Sequence, residues 1–269
     1  MSKTIGFYLR VVDLILKSST DLTIKTNRSL RTRCSSKSNY RFDPVTWFDR
    51  IIETNIFNII RTMTPKVSFY GEEFGYLHGF EDNKNMWIID PIDGTKSFVC
   101  GSITWGTILA YINGNNVLIG ALDFPVLNER LISVLGNVYI KYNNCYKLAP
   151  KVTNSKIKLS ECIIATSTEE SMSLIEKIAF KALKKNVLHV IKDYDCYAFW
   201  LLATGKIDAI VECGLKPHDI IGLIPIANGL GCFVSDWRGN STCFGRKIII
   251  TRNKELLTEI SLKLLPFLI

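Results

Sequence analysis

Residues 87–95, Trp-Ile-Ile-Asp-Pro-Ile-Asp-Gly-Thr, constrain this chain more than any other segment. An apolar run stops abruptly at two carboxylates, Asp90 and Asp93, with Pro91 and Ile92 between them and Gly94 and Thr95 after them. A proline removes a ladder donor, so the pattern predicts a strand that ends at Asp90 and then turns. Both carboxylates would project from one short turn, beside the N–H groups of Gly94 and Thr95 and the Thr95 hydroxyl. Clustered carboxylates bind a hard cation through oxygen. Free N–H groups at a turn or helix start bind phosphate. Together they point to metal-assisted phosphate chemistry.

With 269 residues, the chain is long enough for one large domain or two packed halves. A hydrophobic content of 47% and a charged content of 22% are ordinary for a globular protein. The net charge of +8 favours anionic ligands, and phosphorylated small molecules satisfy it as well as nucleic acid does. The interleaved aromatics of a single-strand nucleic-acid platform are missing, so no nucleic-acid partner is expected. Eight cysteines are scattered without a Cys-x-x-Cys pair, which reads as buried reduced thiols in a cytoplasmic protein. With only His78, His189 and His218, a histidine-rich zinc site is not expected. No apolar stretch is long enough to span a membrane, and Arg10 and Asp13 argue against a signal peptide.

Periodicity predicts a helix over 1–20 and a polar, basic loop over 24–42, carrying Arg28, Arg31, Arg33, Lys37 and Arg41. A second helix follows Pro44 and stops before Pro65. A short segment, 67–70, runs into Gly71-Glu72-Glu73, and a polar loop, 75–86, leads to the strand above. Antiparallel strands are expected from 104 to 146, punctuated by Gly114 and Gly136. Residues 147–160 form the expected boundary between an α+β half, 1–150, and an α/β half, 151–269. In the second half strands are expected at 162–166, 187–191, 209–212, 232–235 and 248–251. Helices are expected at 168–184, 194–204, 219–228, with Pro225 as the point of any bend, and from 254.

Other acids could join Asp90 and Asp93, each with a plainer reading. Asp49 lies three residues after Thr46, as in a capping box, and Asp219 stands at a helix start that favours anions. Glu72 and Glu73 taken alone read as surface acids. The segments Asp43-Pro44-Val45-Thr46-Trp47-Phe48-Asp49, Gly71-Glu72-Glu73, Asp90-Pro91-Ile92-Asp93-Gly94-Thr95 and Pro217-His218-Asp219 nevertheless occur in order. Together they resemble the inositol monophosphatase superfamily of magnesium-dependent, lithium-sensitive phosphatases. The resemblance covers nearly the whole chain, and it implies a layered α-β-α-β-α sandwich that forms a homodimer.

By that resemblance, Glu72, Asp90 and the backbone carbonyl of Ile92 hold one Mg2+, and Asp90, Asp93 and Asp219 hold a second. Asp49 and Glu72 place a third, weaker ion, with Mn2+ as a possible substitute. Thr95, hydrogen-bonded to Asp49, orients the attacking water, and the N–H groups of Gly94 and Thr95 hold the phosphate. Oxygen-only ligands favour magnesium or manganese over zinc.

Further segments resemble the histidinol-phosphatase branch: Glu73-Phe74-Gly75, Trp105-Gly106-Thr107, Asp123-Phe124-Pro125, Asp195-Cys196-Tyr197 and Gly214-Leu215-Lys216-Pro217. There the position of Asp195 faces the substrate, where a carboxylate receives an ammonium or imidazolium group; the plainer reading is a helix cap. Trp47-Phe48 and His218 depart from the branch pattern. His218 is expected to be a pocket wall or packing residue rather than a metal ligand. The basic loop reads either as a flap bringing Lys37 or Arg41 to the phosphate, or as a solvated face. The expected substrate is a small phosphorylated metabolite: histidinol phosphate first, then an inositol or polyol phosphate, and more distantly a nucleotide 3′-phosphate. A basic binding protein with a relic metal site is the non-enzymatic alternative.

Overall fold

Apolar runs such as 87–89 and 248–250 have no polar alternation because their strands are covered on both faces. The computed structural model describes residues 2–27, 34–36, 44–79, 84–142, 145–152, 157–167, 169–240 and 246–267. The first half holds α1 (Ser2–Asn27), β1 (Cys34–Ser36), β2 (Pro44–Thr46), α2 (Trp47–Met63), β3 (Ser68–Gly71), β4 (Gly75–Leu77), β5 (Asn85–Asp93) and α3 (Thr95–Cys100). A meander of β6 (Gly106–Asn113), β7 (Asn116–Phe124), β8 (Glu129–Val134), β9 (Asn137–Tyr142) and β10 (Cys145–Leu148) follows. The second half holds β11 (Ile163–Thr166), α4 (Leu174–Lys184), β12 (His189–Lys192), α5 (Tyr197–Ala203) and β13 (Ala209–Cys213). It continues through α6 (Pro217–Ile220), α7 (Ile224–Gly229), β14 (Phe233–Ser235), β15 (Lys247–Thr251) and α8 (Lys254–Leu264).

Strand alternation sorts the core into layers. An eight-stranded sheet runs β10-β9-β8-β7-β6-β5-β3-β4, and a five-stranded sheet runs β12-β11-β13-β15-β14. Trp87 and Ile89 of β5 point to one face, where Val12, Ile15 and Leu16 of α1 and Ile52, Ile56 and Ile60 of α2 cover them. Ile88, between them, joins Ile108 and Leu122 on the opposite face, against Phe199 of α5, Ile220 of α6 and Ile226 of α7. Ile210, Ile248 and Ile250 of the smaller sheet close that same core from the other side. Ala209, Val211 and Ile249 face outward, onto Phe180 and Leu183 of α4 and Leu256 and Ile260 of α8. The order is therefore helix, sheet, helix, sheet, helix, as the resemblance implied. Each half has a cluster of its own, and the middle layer is shared between residues 1–150 and 151–269.

Several local expectations are corrected. Helix α1 runs to Asn27 instead of ending near residue 20. In its polar last turns buried Thr23 donates to the Ser19 carbonyl (2.8 Å), and Thr20 donates to Asp123 of β7 (2.8 Å). The stretch 75–86 is not all loop, because Gly75, at φ +68, turns the chain so that β4 pairs back on β3. Helix α4 begins only at Leu174, where Ser173 caps it by accepting from the Glu176 N–H (3.3 Å). Helix α5 begins at Tyr197 rather than 194. The expected helix 219–228 is two helices, α6 and α7, broken near Gly222 rather than at Pro225. Gly222 lies backbone to backbone against Gly120 of β7, where no side chain fits. Among the described residues Cys162, Cys196, Cys213 and Cys232 are buried free thiols, whereas Cys100 and Cys145 are exposed. The basic residues of 28–41 lie outside the described residues.

Candidate active site

Strand β5 does not end at Asp90. It continues to Asp93, with Asp90 paired to Ile108, Asp93 to Gly106, and a bulge between. The bulge absorbs Pro91, so its missing N–H disturbs no ladder bond. The Pro91 carbonyl accepts from the Thr107 hydroxyl (2.9 Å), and Asp90 Oδ1 accepts from the Ile92 N–H (3.0 Å). Extra local twist at a bulge re-aims side chains. Here it sends Asp90 and Asp93 into one cavity of about 420 Å³, lined also by Glu72, Ile92, Gly94, Thr95 and Asp219.

Each partner carboxylate arrives on a different element. Strand β3 pairs parallel to β5, Gly71 opposite Ile89, and so places Glu72 beside the end of β5. Asp219 comes from α6 in the middle layer. Its Oδ2 accepts from the Lys216 N–H (2.7 Å), so the capping role and the site role coexist in one side chain. Asp49 sits in the first turn of α2, 1% exposed, and its Oδ1 accepts from the Thr95 hydroxyl (3.3 Å). That hydroxyl also lies 3.2 Å from the Ile92 carbonyl oxygen.

Glu53 was not singled out from the sequence. It lies one helical turn beyond Asp49, is 0% exposed, and accepts from the N–H groups of Glu73 (2.8 Å) and Phe74 (2.9 Å). Its carboxylate fills the space above Gly71, where a Cβ would not fit. Helix α2 thus holds both Thr95, through Asp49, and the Glu72 turn, through Glu53. The signal was present as an acid at i+4 from Asp49, on the buried face of an amphipathic helix. If the cluster holds a divalent cation, Glu53→Ala should raise the cation concentration needed for half-maximal binding about tenfold or more. A magnesium titration checks this; an unchanged half-saturation with only a lower melting temperature would leave Glu53 as packing.

The site is strongly acidic. One ligand atom each from Asp90, Asp93 and Asp219 lie within 4.8 Å of one another, as do those from Glu72, Asp90 and His218. Burial pushes the Asp90 carboxyl up, and the Glu72, Asp93 and Asp219 charges push it further. Burial does the same to Asp93, reinforced by Asp195 and Asp219. The bases lining the cavity are Lys96 and Lys216, both exposed. Crowded carboxylates with raised affinity for positive charge and oxygen donors are what a hard divalent cation requires, so the residues fit such an ion. His218, 3% exposed, packs beside them: Nε2 is 3.2 Å from Asp219 Oδ1 and 3.9 Å from Glu72 Oε1.

Ser167, Asp193, Asp195 and Glu212 also line the cavity. Asp195 does not cap α5, which has no side-chain cap. Its carboxylate accepts from the Ser97 hydroxyl (2.5 Å) and packs on Gly94, where an added Cβ would lie 2.6 Å from Oδ2. Gly94 also has φ +83, so both its conformation and its neighbour demand glycine. The next N–H, of Cys196, donates to Asp93 Oδ2 (2.7 Å). Asp193 (φ +59) and Asp195 (φ +45) are both left-handed non-glycine residues, a strained turn held in place by these bonds. Glu212 also escaped the sequence reading, although an acid inside the buried strand β13 was the clue. Its carboxylate accepts from the Ser167 N–H (2.6 Å) and hydroxyl (2.8 Å), and burial pushes its carboxyl up to about 8.

Comparisons with known proteins bear on the family and the fold. Residues 10–267 match the inositol monophosphatase family. The bifunctional phosphatase IMPL2, chloroplastic, of Arabidopsis thaliana is 35% identical over 196 residues, covering 73% of this chain and 55% of that protein. The chain thus spans little more than half the length of that relative. A histidinol-phosphatase of Chlorobaculum parvum is 27% identical, covering 79% of this chain and 80% of its own. The extragenic suppressor protein suhB of Bartonella henselae superposes with a TM-score of 0.84 at 22% identity, covering 96% of this chain and 98% of that one. The fold, the order of its carboxylates along the chain and the near full-length match together make this chain a member of the inositol monophosphatase family.

Proposed function

We propose that the protein is a magnesium-dependent phosphomonoesterase that hydrolyses a small phosphorylated metabolite. The observation that carries this reading is the convergence of Asp90, Asp93 and Asp219 from both halves of the chain at the start of α3. Glu72, Asp90 and the Ile92 carbonyl would hold one ion, Asp90, Asp93 and Asp219 a second, and Asp49 with Glu72 a weaker third. Manganese is an expected substitute. Bound there, divalent cations acidify a water and neutralise charge on the phosphate and the leaving oxygen.

The chain's own groups do the positioning. The Thr95 hydroxyl donates to Asp49 or to the Ile92 carbonyl, which leaves its oxygen to accept from, and so orient, the attacking water. The amides of Gly94 and Thr95, which have no intrahelical partner at the start of α3, receive phosphate oxygens. Asp195 braces that phosphate-binding turn through Ser97 as well as lining the cavity.

Asp193 and Asp195 add carboxylates to the cavity lining, which favours a substrate carrying an ammonium or imidazolium group. Histidinol phosphate is therefore the first choice, in line with the histidinol-phosphatase relative. Inositol or another polyol phosphate is the second, because carboxylates also accept from hydroxyls. Phosphate release from both substrates is the test: histidinol phosphate should be turned over at least about tenfold faster, a preference near 1.4 kcal/mol. Equal rates would remove the cationic-substrate assignment. The same proposal includes inhibition by lithium and a homodimer, for which exposed Leu174, Ile175 and Ile178 on α4 offer an apolar face. No helix among the described residues is long and apolar enough to cross a membrane. The free thiols agree with a cytoplasmic location.

A further inference from the structure

We propose that His218 supplies an imidazole nitrogen to the metal position shared by Glu72 and Asp90, making it a mixed nitrogen–oxygen site. The inference rests on the metal-dependent reading above and changes the metal preference it implies.

Three observations carry it. The first is spacing. Two ligands about 2.1 Å from one ion lie roughly 3.0 Å apart when adjacent and about 4.2 Å apart when opposite. His218 Nε2 lies 3.9 Å from Glu72 Oε1 and 3.2 Å from Asp219 Oδ1, and a nitrogen of His218 lies within 4.8 Å of ligand oxygens of both Glu72 and Asp90. The second is fixed orientation. Pro217 opens α6, and the Lys216 N–H bond to Asp219 Oδ2 (2.7 Å) closes its first turn, so the backbone on both sides of His218 is held. The ring stacks on Tyr70 with centroids 6.0 Å apart and planes inclined by 25°. Little rotamer freedom is left to lose when the nitrogen is engaged. The third is the immediate charge. The groups facing Nε2, namely Glu72 on the β3 side and Asp219 on α6, are both acids, and a carboxylate oxygen of Asp90 lies within 4.8 Å of a His218 nitrogen. A cation between the nitrogen and these oxygens satisfies all of them at once.

The consequence is chemical. An all-oxygen set suits magnesium, whereas an imidazole raises affinity for manganese and especially zinc, which accept nitrogen readily. His218 would thus tilt this chain toward transition metals at one of its positions without removing magnesium from the others. The competing account is that His218 is only a ring wall that pairs with Asp219.

Pulsed electron paramagnetic resonance on the full chain loaded with Mn2+ separates the two. Nitrogen-14 modulation of the manganese signal is expected, and labelling histidine with nitrogen-15 should change its pattern. His78 and His189 are exposed and take no part in the cluster, so the signal has one source. In His218→Phe and His218→Tyr, which keep an aromatic ring against Tyr70, the modulation should vanish while Mn2+ still binds. The Zn2+ dissociation constant should rise about tenfold or more, and that for Mg2+ less than about threefold. Bound Mn2+ without nitrogen modulation in the wild-type protein would overturn the assignment and leave the metal-dependent reading intact. No Mn2+ binding at all would overturn both. The wild-type spectrum alone decides the point should either variant fail to fold.

Discussion

Asp93→Asn should lower turnover by roughly three orders of magnitude while the protein stays folded. Asp93 is proposed as a ligand whose charge is needed only when cation and substrate phosphate are present. Losing a properly charged ligand removes several kcal/mol of transition-state stabilisation, and about 4 kcal/mol corresponds to that factor. The fold should tolerate the change. Asp93 Oδ2 accepts from the Cys196 N–H (2.7 Å), and an asparagine carbonyl can accept the same bond. The substitution also removes one charge from a group that burial, Asp195 and Asp219 already push toward the neutral form. Metal-free Asp93→Asn should therefore melt at or above the wild-type temperature. Thermal melts and steady-state rates at saturating magnesium check both halves, and near-normal turnover would exclude Asp93 from the metal site.

The metal-free protein should lose stability as pH rises from 5 to 8. Burial pushes the Glu53 carboxyl up from 4.5 to about 7 and the Glu212 carboxyl up from 4.5 to about 8, and Asp90 and Asp93 move in the same direction. Across that interval the native state keeps protons that the unfolded chain has released. Stability then falls with rising pH, because it rises only where the unfolded state binds more protons. With each pKa unit worth about 1.4 kcal/mol, the loss is on the order of several kcal/mol, roughly 10 °C in Tm. Magnesium should flatten the profile by compensating the exposed-to-cation carboxylates, and Glu212→Gln should flatten it in the absence of metal. A metal-free melting temperature that climbs between pH 5 and 8 would contradict the picture of an uncompensated acidic cluster.

The sequence exposes the site's nucleus because Asp90 and Asp93 interrupt an apolar run, and such interruptions are visible in a single chain. An α+β half followed by an α/β half is similarly legible in the punctuated strands from 104 to 146 and the alternating elements after 160, whereas the layering came from the resemblance. What stays hidden depends on neighbours far along the chain. Pro91 marks a strand end by the local rule, yet a bulge against β6 carries β5 through to Asp93. Glu53 reads as one more polar residue of α2 until the Glu73 and Phe74 amides close on it. Asp195 reads as a substrate-facing carboxylate or, more plainly, as a helix cap, and neither reading shows that its carboxylate turns back to Ser97 and Gly94. The break between α6 and α7 lies where the Gly222 backbone meets Gly120, a contact that no hydrophobic period encodes.

The central claim is that carboxylates from both halves of the chain assemble a metal-dependent phosphatase site. It is tested most directly by following phosphate release from histidinol phosphate and inositol monophosphate with magnesium, with a chelator, and with magnesium restored. The account predicts release with magnesium, its loss on chelation, and its recovery when the metal returns. Release that is indifferent to chelation, or no metal-dependent release from either substrate, would contradict it.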